Sequence, residues 1–165
     1  MIVLVMGVAG AGKTTIGEAL ARHRGWRFID ADDYHPRQNV AKMEAGIPLD
    51  DADRRPWLQD LNKELRTTDV VSENAVIACS ALKQSYRERL AQGIHDFRIV
   101  YLHGSPELIR SRMATRTHRY MPAALLESQF AALEPPAVAI SIDVSVTPSD
   151  CVAAIVGRLA TPQRS

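Results

Sequence analysis

Residues 1–15 read MIVLVMGVAGAGKTT, an apolar run followed by a glycine-rich loop and the start of a more polar segment. The run 2–6 predicts a buried β-strand, and residues 7–14 match the pattern GxxxxGK(S/T) in full. In this pattern the glycines let backbone N–H groups turn toward phosphates, and the following helix presents its positive end to the same charge. The stretch therefore predicts a P-loop that binds nucleotide phosphates. The alternative is a turn that only joins strand and helix, and the complete match in this context argues against it.

The loop and the first helical turn supply the predicted nucleotide contacts. Lys13 is expected to reach the β- and γ-phosphates and is a candidate catalytic residue, and the Thr14 hydroxyl is a candidate Mg²⁺ ligand. The full predicted set from this stretch is Gly7, Ala9, Gly10, Ala11, Gly12, Lys13, Thr14 and Thr15.

Outward from the P-loop, short apolar runs alternate with helix-like segments along the whole chain. The predicted strands are 2–6, 27–30, 75–79, 97–102 and 140–146, and the predicted helices are 14–24, 39–45, 53–66, 84–92, 106–117, 122–133 and 149–159. Gly25 is expected to cap the first helix and Ser149 to begin the last one. Alternation of this kind predicts an α/β fold, with a parallel sheet between two layers of helices. Ligands of such sheets bind at the carboxyl ends of the strands.

Composition limits the classes of protein that fit. The chain has 165 residues, 46% of them hydrophobic, which is the size of one domain, 1–165. Its formal charge of +1 gives no sign of the broad positive field that holds nucleic acid or a membrane surface. The two cysteines, Cys79 and Cys151, belong to no disulfide or zinc pattern, and a reducing cytoplasm fits best.

Carboxylates follow the second predicted strand. Asp30 and Asp32 share one side of an extended chain, beside the phosphate loop if the first two strands lie in one sheet. Phosphoryl transfer to an alcohol needs a carboxylate that takes the hydroxyl proton, so Asp32 is the candidate base and Asp30 the metal-side partner. The alternative is that these are solvated loop acids or helix caps.

A basic cluster lies between the fourth and fifth predicted strands. Arg112 and Arg116 are four residues apart on a predicted helix, with His118 and Arg119 behind them. Such arginines could close over ATP as a mobile lid at about 112–122, stacking on adenine and neutralising the transferred phosphate. Arg116 is therefore also a catalytic candidate. The alternative is a solvated helix face.

Loops after the second and third strands carry the candidate acceptor-binding residues. A polyhydroxy carboxylate needs cations for its carboxylate and donors and acceptors for its hydroxyls. Taken singly, each such residue is more often a surface residue. The candidates in these loops are Asp32, His35, Arg37, Asn39, Lys42, Arg54, Lys83 and Arg87, and His118 of the basic cluster is a further one.

In these segments the chain resembles the gluconate kinases, a family of shikimate-kinase-like P-loop kinases. The P-loop is shared widely, and the more specific segments are HPRxN at 35–39, DDADRRPWL at 50–58 and CSALKxxYR at 79–87. Further matches are Arg112, Arg116, His118, Gln129-Phe130 and the LEP segment at 133–135.

This resemblance implies a five-stranded parallel sheet of order 2-3-1-4-5, ATP and Mg²⁺, 6-phosphogluconate as product, and a homodimer. It also implies Asp32 as base, Lys13 and Thr14 in the phosphate and metal roles, and Arg112 and Arg116 in the lid.

Two other classes of protein were weighed. A shikimate kinase shares the P-loop and the Asp30-x-Asp32 pattern but is expected to carry a glycine triplet where this chain has Cys79-Ser80-Ala81. A nucleotide-binding switch is expected to carry NKxD and DxxG motifs, which are absent from the sequence. Both are therefore disfavoured.

Overall fold

The computed structural model describes residues 1–114 and 123–160. Its centre is a five-stranded parallel sheet of order β2-β3-β1-β4-β5, which confirms the predicted α/β fold and the strand order that the resemblance implies. The strands are β1 (Ile2–Met6), β2 (Arg27–Asp30), β3 (Ala75–Ala78), β4 (Phe97–His103) and β5 (Ile140–Asp143).

Helices connect successive strands on both faces of the sheet. In chain order they are α1 (Lys13–Arg24), a 3₁₀ helix (Ala31–Tyr34), α2 (Arg37–Glu44), α3 (Asp51–Val70), α4 (Gln84–Ala91), α5 (Pro106–Ala114), α6 (Ala123–Ala132) and α7 (Pro148–Leu159). The predicted helices 106–117 and 122–133 extend beyond the described residues, as do Arg116, His118 and Arg119.

Strand β1 lies at the centre of the sheet, and all five of its side chains are fully buried. Because successive strand residues point to opposite faces, Val3 and Val5 belong to one core and Ile2, Leu4 and Met6 to the other. The first core includes buried residues of α1 and α7, and the second includes those of α3 and α4. This two-sided burial explains the continuous apolar run at the start of the chain.

Several element ends differ from the sequence-based prediction, and two of the helix starts have a clear local cause. Helix α7 begins at Pro148 because Thr147, not Ser149, is its N-cap and accepts a hydrogen bond from the Asp150 N–H at 3.2 Å. Helix α3 begins at Asp51, two residues earlier than predicted, because Asp50 and Asp53 form a capping box. Strand β5 pairs with β4 only as far as Asp143. The predicted cap Gly25 is confirmed, with φ of 66°.

In the described ranges no helix has the length and apolar character that crossing a bilayer would require.

Candidate active site

The loop between β1 and α1 adopts a conformation that its glycines make possible. Gly7 and Gly10 have φ of 151° and 81°, values that other residues rarely adopt. A Cβ at Gly7 would lie 2.5 Å from the Leu102 carbonyl oxygen, and one at Gly10 would lie 2.6 Å from Met113 Cγ. The loop is therefore packed closely between β4 and α5, and side chains at these two positions would displace it.

One peptide unit of the loop, Val8–Ala9, is bonded at both ends. The Val8 carbonyl oxygen accepts hydrogen bonds from Lys13 Nζ at 3.1 Å and from the Ala11 N–H at 3.2 Å. The Ala9 N–H donates to Oε1 of Gln129 at 2.7 Å. Sequence analysis included Gln129 only in a matching segment and gave it no role, because nothing local relates it to a loop 120 residues away.

The first carboxylate after β2 lies beside the P-loop helix, as predicted. Thr14 Oγ1 donates to Asp30 Oδ2 at 3.2 Å, while Asp30 Oδ1 accepts from the Asp32 N–H at 3.0 Å and caps the 3₁₀ helix. The part of the chain that the structure describes has no group of three or more His, Cys, Asp or Glu side chains able to hold a metal by themselves. A hydroxyl paired with one carboxylate is nevertheless the donor set that Mg²⁺ takes when phosphate oxygens and water complete its shell.

Asp32 lies on the 3₁₀ helix with its side chain 66% exposed, and a histidine faces it. His35 Nε2 is 3.9 Å from Asp32 Oδ1, and the His35 side chain is only 5% exposed. The imidazole stacks on Trp57 at 4.1 Å between ring centroids and 16° between planes. Burial lowers the pKa of His35, more than the nearby Asp32 charge raises it, and Arg54 lowers it further. Burial therefore favours the neutral form of His35.

Two further acceptor candidates connect α2 to the beginning of α3. Asn39 is fully buried, and its Nδ2 donates to the Asp53 carbonyl oxygen at 2.9 Å. Its Oδ1 is buried without a hydrogen-bond partner. Lys42 Nζ donates to both carboxylate oxygens of Asp53, at 2.7 and 2.8 Å, and this bond lowers the pKa of Asp53. Asn39 and Lys42 thus hold the HPRxN segment against the DDADRRPWL segment.

The candidates Arg54 and Lys83 meet at Tyr86, between α3 and α4. Lys83 Nζ lies 2.9 and 3.0 Å from the two carboxylate oxygens of Asp51, and the Tyr86 hydroxyl donates to the same carboxylate. Arg54 and Lys83 both lie over the Tyr86 ring, at 5.7 and 5.5 Å from its centroid. Asp51 and Tyr86 are polar residues of this cluster that sequence analysis did not single out. Both lie inside segments that it used for the resemblance.

The buried Arg87 side chain is hydrogen-bonded to the loop that follows β3. It is 5% exposed, and its Nη1 donates to the Ala81 and Leu82 carbonyl oxygens at 3.0 Å each. Ala81 has φ of 42°, in the left-handed region that favours glycine. Arg87 therefore holds a strained turn in the segment where a shikimate kinase would have glycines. Arg37, the first residue of α2, is exposed.

On the other side of the P-loop a cleft of about 290 Å³ opens toward the loop between β5 and α7. Gly10, Gly12 and Thr15 form one wall, and Val144, Val146 and Pro148 form the other. Arg112 also lines the cleft and donates a hydrogen bond to the Val144 carbonyl oxygen. The cleft offers an apolar surface and a guanidinium next to the phosphate loop, which suits a nucleotide base.

Comparison with known proteins finds gluconokinases among the relatives of this chain. The family described as AAA domain matches residues 2–136. The probable gluconokinase of Xenopus tropicalis is 41% identical, over 96% of this chain and 93% of that protein. The thermosensitive gluconokinase of Escherichia coli K12 is 46% identical, over 81% of this chain and 71% of that protein.

Solved structures agree with these sequence matches. A gluconokinase from Sinorhizobium meliloti 1021 superposes with a TM-score of 0.87 at 39% identity, covering 96% of this chain and 92% of the other. A shikimate kinase from Aquifex aeolicus shares 15% identity at a TM-score of 0.57, covering 96% of each chain, so that likeness concerns the fold alone.

Proposed function

The chain belongs to the gluconokinase family, and from this we infer that it transfers the γ-phosphoryl group of ATP to D-gluconate, giving 6-phospho-D-gluconate. One observation carries this conclusion: the P-loop and the carboxylate at the end of β2 meet at the carboxyl end of the sheet, through the Thr14–Asp30 bond. The identification of gluconate as the acceptor rests on relatives that are gluconokinases, at 41% and 46% identity.

Asp32 is the proposed general base. Its exposed carboxylate would accept the proton of the terminal hydroxyl as the oxygen attacks the γ-phosphorus. The bond from that phosphorus to the bridging oxygen breaks, and its electron pair leaves with ADP. In its neutral form, His35 beside Asp32 adds no positive charge that would weaken the base. A base of this kind contributes about 10²- to 10⁴-fold.

The P-loop would hold the phosphates through its backbone N–H groups and through Lys13, a proposed catalytic residue. Thr14 and Asp30 would hold Mg²⁺, which offsets the charge of the phosphates when it is bound. The remaining proposed contacts of the loop are those of Gly7, Gly10, Ala11, Gly12 and Thr15, whereas Ala9, whose N–H donates to Gln129, would contribute through its place in the loop. Those of Gly10, Gly12 and Thr15 are supported by their place in the wall of the cleft.

Adenine is proposed to lie in the cleft between the P-loop and the β5–α7 loop, with Arg112 beside it. Arg116 is proposed to neutralise the transferred phosphate from a lid at about 112–122, and His118 to reach the acceptor. These last two roles concern residues outside those described and rest on sequence spacing and resemblance.

Gluconate is proposed to bind between the 3₁₀ helix and the Tyr86 cluster. Arg37, Arg54 and Lys83 are the proposed partners for its carboxylate and hydroxyls, since they lie at or near the surface. Asn39, Lys42 and Arg87 are held by protein groups, so their proposed part in binding combines substrate contact with support of the two loops. His35 is proposed to contact gluconate beside Asp32.

The quaternary structure and location also remain proposals. The resemblance supports a homodimer, and the adjacent Val70 and Val71, 76% and 59% exposed, offer apolar surface at the end of α3. Both cysteines are buried as free thiols, and burial raises the pKa of Cys79 to about 12. Free thiols suit the cytoplasm. Light scattering on the purified protein tests the dimer, and a mass equal to that of one chain would rule out the proposed homodimer.

The acceptor is tested by ADP release with Mg-ATP and a panel of gluconate, related sugar acids, shikimate, nucleoside monophosphates and no acceptor. We expect release to depend on gluconate. Dependence on another acceptor would keep the kinase and remove gluconate, and release that is the same without any acceptor would remove the kinase assignment.

A further inference from the structure

We propose that Gln129 is a positioning residue for phosphoryl transfer, which fixes the Val8–Ala9 peptide and through it the ammonium group of Lys13. This inference rests on the proposed kinase function and adds a residue to which neither the P-loop pattern nor the acceptor segments assign a role.

The inference starts from the two ends of one peptide unit. Its N–H, from Ala9, donates to Gln129 Oε1 at 2.7 Å, and its carbonyl, from Val8, accepts from Lys13 Nζ at 3.1 Å. A peptide unit is planar, so its N–H and carbonyl turn together. Gln129 therefore controls the orientation of the oxygen that holds Lys13.

Local structure alone does not fix this peptide. It lies between Gly7 and Gly10, both with positive φ, and glycine-rich backbone has an unusually large choice of conformations. The Ala11 N–H also bonds to the Val8 carbonyl, at 3.2 Å, which is a contact within the loop itself. The bond to Gln129 comes from another part of the fold and so supplies a constraint that the loop cannot supply.

The helix that carries Gln129 is itself well held. Leu126, one turn before Gln129 on α6, is 2% exposed in the core, and Phe130 and Leu133 pack against the same core. Just beyond α6, the Glu134 N–H donates to the Leu82 carbonyl oxygen at 2.9 Å, and its carboxylate accepts from the Gln84 N–H at 2.6 Å. The backbone that carries Gln129 is thus held in place by core packing and by these hydrogen bonds.

The same segment also contacts the acceptor side of the site. Leu82 and Gln84 belong to the loop and helix start that carry Lys83. The residues from Gln129 to Glu134 therefore bond the phosphate loop at one end and the acceptor loop at the other. A change at Gln129 should affect the phosphate loop first, because the Gln129 side chain bonds directly to the Ala9 N–H.

The test uses three variants of the full chain. Gln129→Met keeps the length of the side chain and removes the amide, Gln129→Glu keeps an acceptor oxygen at the same reach, and Glu127→Gln is the matched control. Glu127 is on the same helix, its side chain is 66% exposed, and it lies 3.7 Å from Arg110.

We expect Gln129→Met to lower kcat by about tenfold or more, with KM for gluconate unchanged, because Lys13 loses its fixed position. Gln129→Glu should recover most of kcat at saturating ATP while raising KM for ATP, since it restores the acceptor and adds negative charge. Unchanged kcat in Gln129→Met, or equal loss in the Met and Glu variants, would overturn the inference.

Hydrogen exchange at the Ala9 N–H separates this inference from the proposed function, because it needs no substrate. Protection should fall in Gln129→Met and be retained in Gln129→Glu and Glu127→Gln. Equal protection in all three variants would overturn the inference even if gluconate were phosphorylated. Failure of the wild-type chain to phosphorylate gluconate, with the expected exchange pattern, would instead remove the proposed function.

Discussion

At the scale of single residues, the proposed chemistry depends on a carboxylate that the fold leaves accessible. Asp30 and Asp32 are two residues apart, yet Asp30 bonds Thr14 and caps the 3₁₀ helix while Asp32 faces outward beside His35. The pair therefore has two different environments. This difference is what a metal-side acid and a general base require.

Asp32→Asn should lower kcat by roughly 10²- to 10⁴-fold, because the amide cannot accept the proton of the attacking hydroxyl. Binding of a non-hydrolysable ATP analogue should be unchanged, since the proposed nucleotide contacts do not include this side chain. Steady-state kinetics and calorimetric titration measure the two effects.

Asp33→Asn is the matched control, because Asp33 is an exposed acid in the same 3₁₀ helix. Its kcat should remain near that of the wild type. Near-normal turnover of Asp32→Asn, or equal loss in both variants, would remove Asp32 from the role of base.

The sequence predicted that Asp30 would lie beside the P-loop, and the structure confirms this proximity, with Thr14 Oγ1 3.2 Å from Asp30 Oδ2. Lys42 and Lys83 were predicted as substrate residues from their type and place alone. Their partners Asp53 and Asp51 lie 11 and 32 residues away, and a local pattern carries no information on which side chains will meet across such separations.

At the scale of elements, the sequence located every helix and strand of the described residues except the short 3₁₀ helix, and it was least accurate at their ends. The beginning of α7 shows why. Thr147 and Ser149 are both good N-cap residues with an acid nearby, and Pro148 between them is tolerated only in the first turn of a helix. The structure places Pro148 as the first helical residue, which makes Thr147 the cap.

Thr147→Ala should lower the free energy of unfolding by about 1 kcal/mol, because the Asp150 N–H loses its acceptor. Ser149→Ala is the control and should change it by less than about 0.5 kcal/mol, as expected for an exposed residue without a capping role. Urea unfolding measures both. A larger loss of stability in Ser149→Ala than in Thr147→Ala would show that Ser149 is the N-cap.

At the scale of the whole molecule, the sheet brings the P-loop and the proposed acceptor residues to its carboxyl end, and ionised carboxylates help hold the surrounding elements. The class of fold followed from the alternation of strands and helices, whereas the order 2-3-1-4-5 came from resemblance. Which distant strands pair depends on how both faces of the sheet pack, and no single segment of the sequence contains that information.

Acid should weaken the fold, and the sign follows from the pKa shifts. Hydrogen bonds from Lys42, and then from the Asp50 backbone, lower the pKa of Asp53, and a hydrogen bond from His95 lowers that of Asp69. A carboxyl with a lowered pKa stabilises the fold above its unfolded value, about 3.9, and loses that contribution as the pH falls through its folded value. The midpoint temperature of thermal unfolding should therefore decrease as the pH is lowered below about 5.

Asp53→Asn isolates one of these contributions. The variant should be less stable than the wild type at pH 7, since Lys42 loses its partner, and its midpoint should depend less on pH between about 5 and 3. The two curves should approach each other as the pH falls. Parallel curves across this range would show that the charge of Asp53 does not contribute to stability.

The fate of the γ-phosphoryl group itself is the most direct test of gluconate phosphorylation by this chain. The protein is incubated with Mg²⁺, gluconate and ATP whose non-bridging γ-oxygens are labelled with ¹⁸O, and the products are identified by mass spectrometry and ³¹P NMR. In-line transfer predicts 6-phosphogluconate that carries all of the labelled oxygens, with the ester oxygen coming unlabelled from gluconate. Label found in inorganic phosphate alone would contradict the account, because the chain would then hydrolyse ATP without transferring its phosphoryl group.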